Sequence, residues 1–155
     1  MKALILQNAS HEGAGTIEDY FKKNNIAYTT VDLSKKGYKI PDPSGYNALI
    51  VMGGPMNVYE TNEFPYLIEE EKIIKTAIEN NYLVLGICLG AQMMAKAFGS
   101  KVTKGKTKEI GWYDINLTED GIEDKALGPL GNKVKVFQWH GDTFDIPSGA
   151  VRLAG

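Results

Sequence analysis

Cysteine and histidine are scarce in this sequence, which contains one cysteine, Cys88, and two histidines, His11 and His140. A single cysteine excludes an internal disulfide, and the absence of disulfides is typical of a reducing compartment, so we expect a cytoplasmic protein. One cysteine and two distant histidines also cannot supply the ligand spacing of a metal site. The sequence therefore indicates neither a metal nor a cofactor.

Long apolar runs are missing as well, because none approaches the roughly 20 residues that are needed to cross a bilayer. The apolar start of the chain, Ala3 to Leu6, is too short for the core of a signal peptide and predicts a first strand instead. The formal net charge of −2 over 155 residues gives no sign of a polyanionic partner. We therefore expect about one globular domain, with no membrane and no nucleic acid among its partners.

What the sequence does contain is an alternation of strand-like and helix-like segments. Short apolar or β-branched runs predict strands at KALILQ, AYTTVDL, ALIVMGG and YLVLGIC. Helical spacing predicts helices in GTIEDYFKKNN, PYLIEEEKIIKTAIENN and LGAQMMAKAFG. In the second of these, the predicted apolar face consists of Leu67, Ile68, Ile74, Ala77 and Ile78.

The pattern changes from Lys101 onward. The segments KVTKG, GWYDINLTED and NKVKVFQWHGD alternate in polarity and predict strands that are joined by turns. The alternation before Lys101 predicts an α/β fold with a doubly wound, mostly parallel sheet, in a flavodoxin-like, three-layer α/β/α arrangement. The later strands predict an antiparallel extension of that fold.

The only cysteine lies at a predicted junction between a buried strand and a helix, in the pattern Gly86-x-Cys88-x-Gly90. This pattern is typical of a nucleophile elbow, with cysteine in the place of serine. The turn is sharp, so a side chain at either flanking position would collide with neighbouring backbone. The helix that begins at Leu89 favours the thiolate, and the Leu89 N–H is placed to donate to an oxyanion. The alternative, a buried structural thiol, is disfavoured by the two glycines.

Four separated stretches carry a family resemblance: LIVMGGPMNVYE, GICLGAQMMAKAFG, EIGWYDI and FQWHGDTFDIP. Together they resemble the class I, or triad, glutamine amidotransferases, and they are most similar to the branch near the glutaminase portion of GMP synthetase. The resemblance runs from the first strand to the last residue. It implies the class I glutamine amidotransferase fold, which agrees with the fold that the alternating segments predict.

The resemblance also implies a reaction and the residues that carry it. Cys88 would attack the side-chain amide carbon of L-glutamine, form a γ-glutamyl thioester and release ammonia. The backbone N–H groups of Gly54 and Leu89 would form the oxyanion hole. Implied glutamine-binding positions are Gln92, Met56, Trp139, Gly141 and Asp142. A synthetase subunit or domain would receive the ammonia, and the sequence does not indicate an oligomeric state.

The sequence departs from the family at the rest of the triad. Members complete it with a His-x-Glu motif on a later strand, and residues 1–155 contain no such motif. His140 belongs to QWHGD, which in the family precedes the catalytic histidine. A triad of Cys88, His140 and Asp142 is therefore disfavoured. We expect residues 1–155 to form a single glutamine amidotransferase domain that is C-terminally incomplete, with the catalytic histidine and glutamate after Gly155.

Two other functions stay open at this point. One is a cysteine hydrolase or peptidase of the same superfamily that acts on γ-glutamyl or other amides. The other is a regulatory module that binds glutamine without turning it over, and this interpretation is favoured if the chain truly ends at Gly155.

Overall fold

The computed structural model describes residues 1–155 and divides into two compact units, Met1–Gly99 and Ser100–Gly155. The first unit contains strands and helices in strict alternation except between its second and third strands, which a loop with a 3-10 turn at Pro43–Gly45 connects. Its elements are β1 (Lys2–Gln7), α1 (Thr16–Lys23), β2 (Ala27–Asp32), β3 (Ala48–Val51), α2 (Tyr66–Glu79), β4 (Leu83–Gly86) and α3 (Leu89–Ala97).

The strands of the first unit form one parallel sheet in the order β2-β1-β3-β4. This is the strand order of flavodoxin-like folds, in which the connections change direction between β1 and β3. Ligands of such folds bind beyond the carboxyl ends of the strands at that point. The predicted α/β fold with a mostly parallel sheet is confirmed, and its topology points to the loops that follow β1, β3 and β4.

Both faces of the sheet are covered because its central strands are apolar throughout. Ile5 of β1 and Ile50 of β3 pack in one cluster with Phe21 of α1. Successive residues of a strand point to opposite faces, so Leu49 points away from α1. There it lines a small cavity together with Ile73 of α2. Helices α2 and α3 contact each other, and both contact β3 and β4, so the unit has three layers.

The second unit is built on two long antiparallel strands, β5 (Val102–Asn116) and β6 (Lys133–Phe144). A short helix, α4 (Glu119–Glu123), and a 3-10 turn at Gly128–Leu130 connect them. The pairing is interrupted by an irregularity between Lys104 and Glu109. The predicted antiparallel strands are confirmed, and they form a sheet of their own. None of the helices in either unit is both long enough and apolar enough to cross a membrane.

Candidate active site

The backbone at Cys88 has the conformation of a nucleophile elbow. β4 ends at Gly86 and α3 begins at Leu89, and Cys88 between them has φ of 52° and ψ of −107°. A positive φ is uncommon for a residue with a side chain, and such strain persists only where the surrounding structure enforces it. The turn presents the cysteine on the surface, where its side chain is exposed.

The two glycines that flank Cys88 are required by the space around them. A Cβ atom at Gly86 would lie 2.6 Å from the carbonyl carbon of Gly90 and 2.7 Å from the nitrogen of Ala91. A Cβ atom at Gly90 would overlap the carbonyl oxygen of Val51. Backbone atoms cannot move aside as a flexible side chain can. The prediction that both flanking positions need glycine is confirmed.

The thiol of Cys88 is less acidic than the elbow pattern alone suggests. Partial burial of the sulfur raises the pKa of Cys88, a hydrogen bond from the Leu89 N–H lowers it, and the Glu12 carboxylate raises it further. The net direction is upward. The expected contribution of the helix start is therefore present, but desolvation outweighs it. Cys88 needs a general base to become a nucleophile near neutral pH.

The glycine pair that follows β3 lies against the elbow. A Cβ atom at Gly53 would lie 3.5 Å from the Cβ of Cys88, and one at Gly54 would lie 3.2 Å from Cδ2 of Leu89. The shared parallel pairing explains this proximity, because Val51 of β3 pairs with Gly86 of β4. The two backbone segments from which the sequence predicts an oxyanion hole are thus neighbours. The donation of their N–H groups to substrate stays a prediction.

Two further predicted site residues are buried beside these segments. Gln92 is one turn into α3, is 7% exposed, and donates its backbone N–H to the carbonyl oxygen of Cys88 at 3.1 Å. Met56 is also 7% exposed, and its sulfur lies 2.5 Å from the position of a Cβ atom at Gly54. Their roles in glutamine binding stay predictions.

The remaining predicted binding residues lie on β6 in the second unit. Trp139 pairs with Ile110 of β5 and is 71% exposed. Gly141 lies against the side chain of Lys108, and Asp142 pairs with Lys104. Their part in a glutamine pocket stays a prediction as well.

His140 has partners for both ring nitrogens within the second unit. Its Nε2 lies 2.9 Å from Oε2 of Glu109, and its Nδ1 lies 3.2 Å from the backbone oxygen of Asp142. A general base needs a ring nitrogen that can reach the nucleophile. The interpretation that His140 is not the triad base stays a prediction.

Glu12 is a site residue that sequence reasoning missed. It lies in the loop after β1, and its Oε2 lies 3.4 Å from the position of a Cβ atom at Gly53. Its Oε1 lies 3.5 Å from Nε2 of the exposed His11. The topology offered a signal for Glu12. Loops that follow adjacent parallel strands meet at one edge of the sheet, so the loop after β1 is expected beside the segment after β3.

Comparison with known families identifies the family of this chain. A family model described as glutamine amidotransferase class-I matches residues 11–154. The chain belongs to the class-I glutamine amidotransferase family. The predicted family resemblance is therefore confirmed over nearly the whole chain.

Individual relatives agree with this assignment. The chain is 35% identical over 117 residues to the glutamine amidotransferase-like protein YfeJ of Salmonella typhimurium, covering 74% of this chain and 49% of YfeJ. It is 36% identical over 104 residues to a glutamine-hydrolysing GMP synthase subunit from Pyrococcus abyssi, covering 67% of this chain and 48% of the Pyrococcus protein. The chain thus spans about half the length of these curated relatives.

A solved glutamine amidotransferase structure confirms the fold. A glutamine amidotransferase from Thermotoga maritima superposes with a TM-score of 0.90 at 36% sequence identity. The match covers 99% of this chain and 66% of the Thermotoga protein.

Proposed function

We propose that this chain carries the nucleophile and the oxyanion hole of an enzyme that hydrolyses the side-chain amide of L-glutamine. The observation that carries the proposal is the strained elbow at Cys88, packed against the backbone of Gly53 and Gly54, in a member of this family. The name of the Pyrococcus relative describes it as glutamine-hydrolysing, which supports the same substrate here.

The proposed reaction has two halves. The Cys88 thiolate attacks the amide carbon of glutamine, and the negative oxygen that forms accepts hydrogen bonds from the N–H groups of Gly54 and Leu89. Collapse of this intermediate breaks the carbon–nitrogen bond, and the nitrogen takes a proton from a general acid and leaves as ammonia. Water then attacks the thioester, loses a proton to the same group acting as base, and releases glutamate and the thiol.

The family resemblance implies that the base of this scheme is a histidine that a glutamate orients. The raised pKa of Cys88 supports the need for such a group. In this proposal residues 1–155 belong to a single glutamine amidotransferase domain. Ammonia passes to a synthetase subunit or domain, as the GMP synthase relatives suggest.

We propose that Gln92 binds the α-amino and carboxylate groups of glutamine. The other proposed contacts come from the backbone around Met56, Trp139, Gly141 and Asp142. Burial of Gln92 and Met56 beside the elbow supports the first part of this assignment.

The test measures covalent labelling of Cys88 by the chloromethyl ketone analogue of glutamine, followed by intact-mass spectrometry. The analogue should label the chain at Cys88, and L-glutamine should protect it while L-leucine should not. With the general base present, the natural protein should release ammonia from glutamine. The Cys88→Ser variant should release none.

Chloroacetone serves as the control reagent, because it carries the same reactive group without the glutamine portion. Equal labelling rates for the two reagents, with no protection by glutamine, would show that the elbow binds no glutamine. Ammonia release that survives Cys88→Ser would exclude Cys88 as the nucleophile.

A further inference from the structure

A buried polar cluster connects α2 to the carboxyl ends of β1 and β3. Asn8 and Glu70 are both 0% exposed, and Tyr66 is 7% exposed. The Asn8 amide nitrogen donates to Oε1 of Glu70 at 3.2 Å and to the backbone oxygen of Met52 at 3.0 Å. The Tyr66 hydroxyl donates to the backbone oxygen of Asn8 at 3.2 Å.

This cluster is a costly arrangement for the core of a small unit. A buried polar group destabilises the fold unless its hydrogen bonds are made, and apolar residues of similar volume often pack as stably. Two atoms here, Oδ1 of Asn8 and Oε2 of Glu70, lack hydrogen-bond partners. Burial raises the pKa of Glu70 to about 8 against the lowering effect of Asn8, so the carboxyl group is largely protonated at neutral pH. Stability alone gives no reason for the cluster.

The position of the cluster gives the reason, because it lies directly behind the proposed oxyanion segment. Met52, whose carbonyl accepts from Asn8, is two residues before Gly54. A Cβ atom at Gly54 would lie 3.0 Å from the Cβ of Asn8. The Tyr66 hydroxyl lies 3.8 Å from the sulfur of Met56, on the other side of Gly54 in sequence. The cluster therefore contacts the segment before, at and after Gly54.

A hydrogen bond to the Met52 carbonyl fixes the orientation of the whole Met52–Gly53 peptide group. The peptide group is planar, so fixing the Met52 carbonyl also fixes the direction of the Gly53 N–H. Glycine has few conformational restraints of its own, so Gly53 and Gly54 depend on their neighbours for a defined orientation. Rotation of the Met52–Gly53 peptide would break the bond to Asn8.

We propose that Asn8 and Glu70 are positioning residues: the Asn8 bond holds the Met52–Gly53 peptide, and the packing of Asn8 against Gly54 holds the Gly54 N–H, in the orientation that an oxyanion requires. The inference rests on the proposed function. Asn8 acts on the peptide directly, and Glu70 acts by fixing the side-chain amide of Asn8. Neither residue touches the substrate.

The experiment compares two reagents that attack the same sulfur by different routes. The chloromethyl ketone analogue of glutamine passes through a negatively charged oxygen that the oxyanion hole stabilises, whereas iodoacetamide alkylates by direct displacement. The ratio of their rates at Cys88 therefore reports the oxyanion hole separately from the acidity and exposure of the thiol. The variants are Glu70→Met, which removes the acceptor of the Asn8 amide, and Asn8→Ala, which removes the bond to Met52.

We expect each variant to lower this ratio by about tenfold or more, given that loss of one oxyanion donor costs about a hundredfold or more in catalysed rate. Glu70→Gln keeps an acceptor for Asn8 and should restore the ratio to within about threefold of the natural value. Ile74→Val is the matched control, because Ile74 is fully buried on the same helix but has no bond to the cluster, and it should leave the ratio unchanged.

An unchanged ratio in Glu70→Met and Asn8→Ala would overturn the inference, whether the two rates both stay the same or both fall by the same factor. If Glu70→Met does not fold, Asn8→Ala and Glu70→Gln still give the comparison. The amide chemical shifts of Gly53 and Gly54 provide a readout without substrate, and they should move in Asn8→Ala but not in Ile74→Val.

Failure of the proposed function looks different. In that case the natural protein itself would show no glutamine-protected labelling by the chloromethyl ketone. Protected labelling of the natural protein, with unchanged ratios and unchanged glycine amide shifts in the variants, would leave the proposed function standing and remove only the positioning role.

Discussion

Glu70 is a carboxyl group in the core of the first unit, and its protonation is coupled to folding. Its pKa is raised by burial to about 8, from an ordinary value of 4.5 in the unfolded chain. Between these two values the folded protein keeps a proton that the unfolded chain has released. The free energy of unfolding therefore falls as the pH rises through this window, by up to ~1.4 kcal/mol per pH unit.

The variant Glu70→Gln tests this coupling because glutamine does not titrate. We expect the advantage of the natural protein over Glu70→Gln to be largest near pH 5 and to shrink toward pH 8, measured by urea unfolding across that range. Tyr66 faces Glu70, but its pKa is raised by burial and by Glu70 to about 12, so it stays protonated throughout.

Glu79→Gln is the control, because Glu79 is exposed on the same helix. If the stability difference between the natural protein and Glu70→Gln does not change with pH, Glu70 has the same pKa in the folded and unfolded states.

At the level of single residues, the sequence predicted the cysteine turn but neither Glu12 beside it nor the burial of Glu70. Gly86 and Gly90 restrict the turn locally, so their pattern alone indicates an elbow. The burial of Glu70 depends on Asn8, which is 62 residues away in sequence. The helical pattern placed Ile68 on the apolar face, yet it is 48% exposed. No short-range rule distinguishes these two positions, because Asn8, which donates to Glu70, lies in the loop after β1.

At the level of elements, α3 approaches β3 so closely that one position admits only glycine. The Cβ atom of Gly90→Ala would overlap the Val51 carbonyl oxygen. We expect this variant to lower the free energy of unfolding by about 3 kcal/mol or more, since overpacking against backbone cannot relax through a side-chain rotation. Chemical unfolding followed by circular dichroism measures the change.

Gly99→Ala is the matched control at the other end of α3. Gly99 has φ of 84° but open space around it, so alanine there brings backbone strain without a collision. A loss of about 1 kcal/mol is expected. Equal losses in the two variants would mean that conformation rather than contact with β3 makes glycine necessary at Gly90.

The order of elements was predictable for a physical reason. Parallel strands are short apolar runs, and β1, β3 and β4 stand out as such in the sequence, although one face of β4 is exposed. β5 was harder, because the sequence predicted separate strands at KVTKG and GWYDINLTED. The structure joins them into Val102–Asn116 with an irregularity after Lys104. The residues in this irregularity are polar or glycine, so the sequence locally reads as a turn.

At the level of the molecule, β4 is the final strand of the parallel sheet and leaves one edge unpaired. Leu83 is 67% exposed and Leu85 is 48% exposed, and both point to the face that α1 covers over β1 and β3. An exposed apolar strand edge favours association between chains.

Replacing both leucines with lysine should therefore raise the highest protein concentration at which the chain is still monomeric. Size-exclusion chromatography with light scattering measures this concentration. The control is Ile68→Lys, which removes a comparably exposed apolar side chain from the surface of α2. If the control raises that concentration as much as the double variant does, general hydrophobicity rather than the β4 edge drives the association.

The contact between the elbow and β3 also couples the opening of these two segments. The Val51 carbonyl oxygen accepts the Ile87 N–H at 2.9 Å, and Gly90 covers the same oxygen. Val51, Ile87 and Gly90 are therefore held together around the Val51 carbonyl oxygen. Amide hydrogens on both sides of this contact should exchange with solvent in the same opening event. We therefore expect the Cys88 turn and the end of β3 to open and close together.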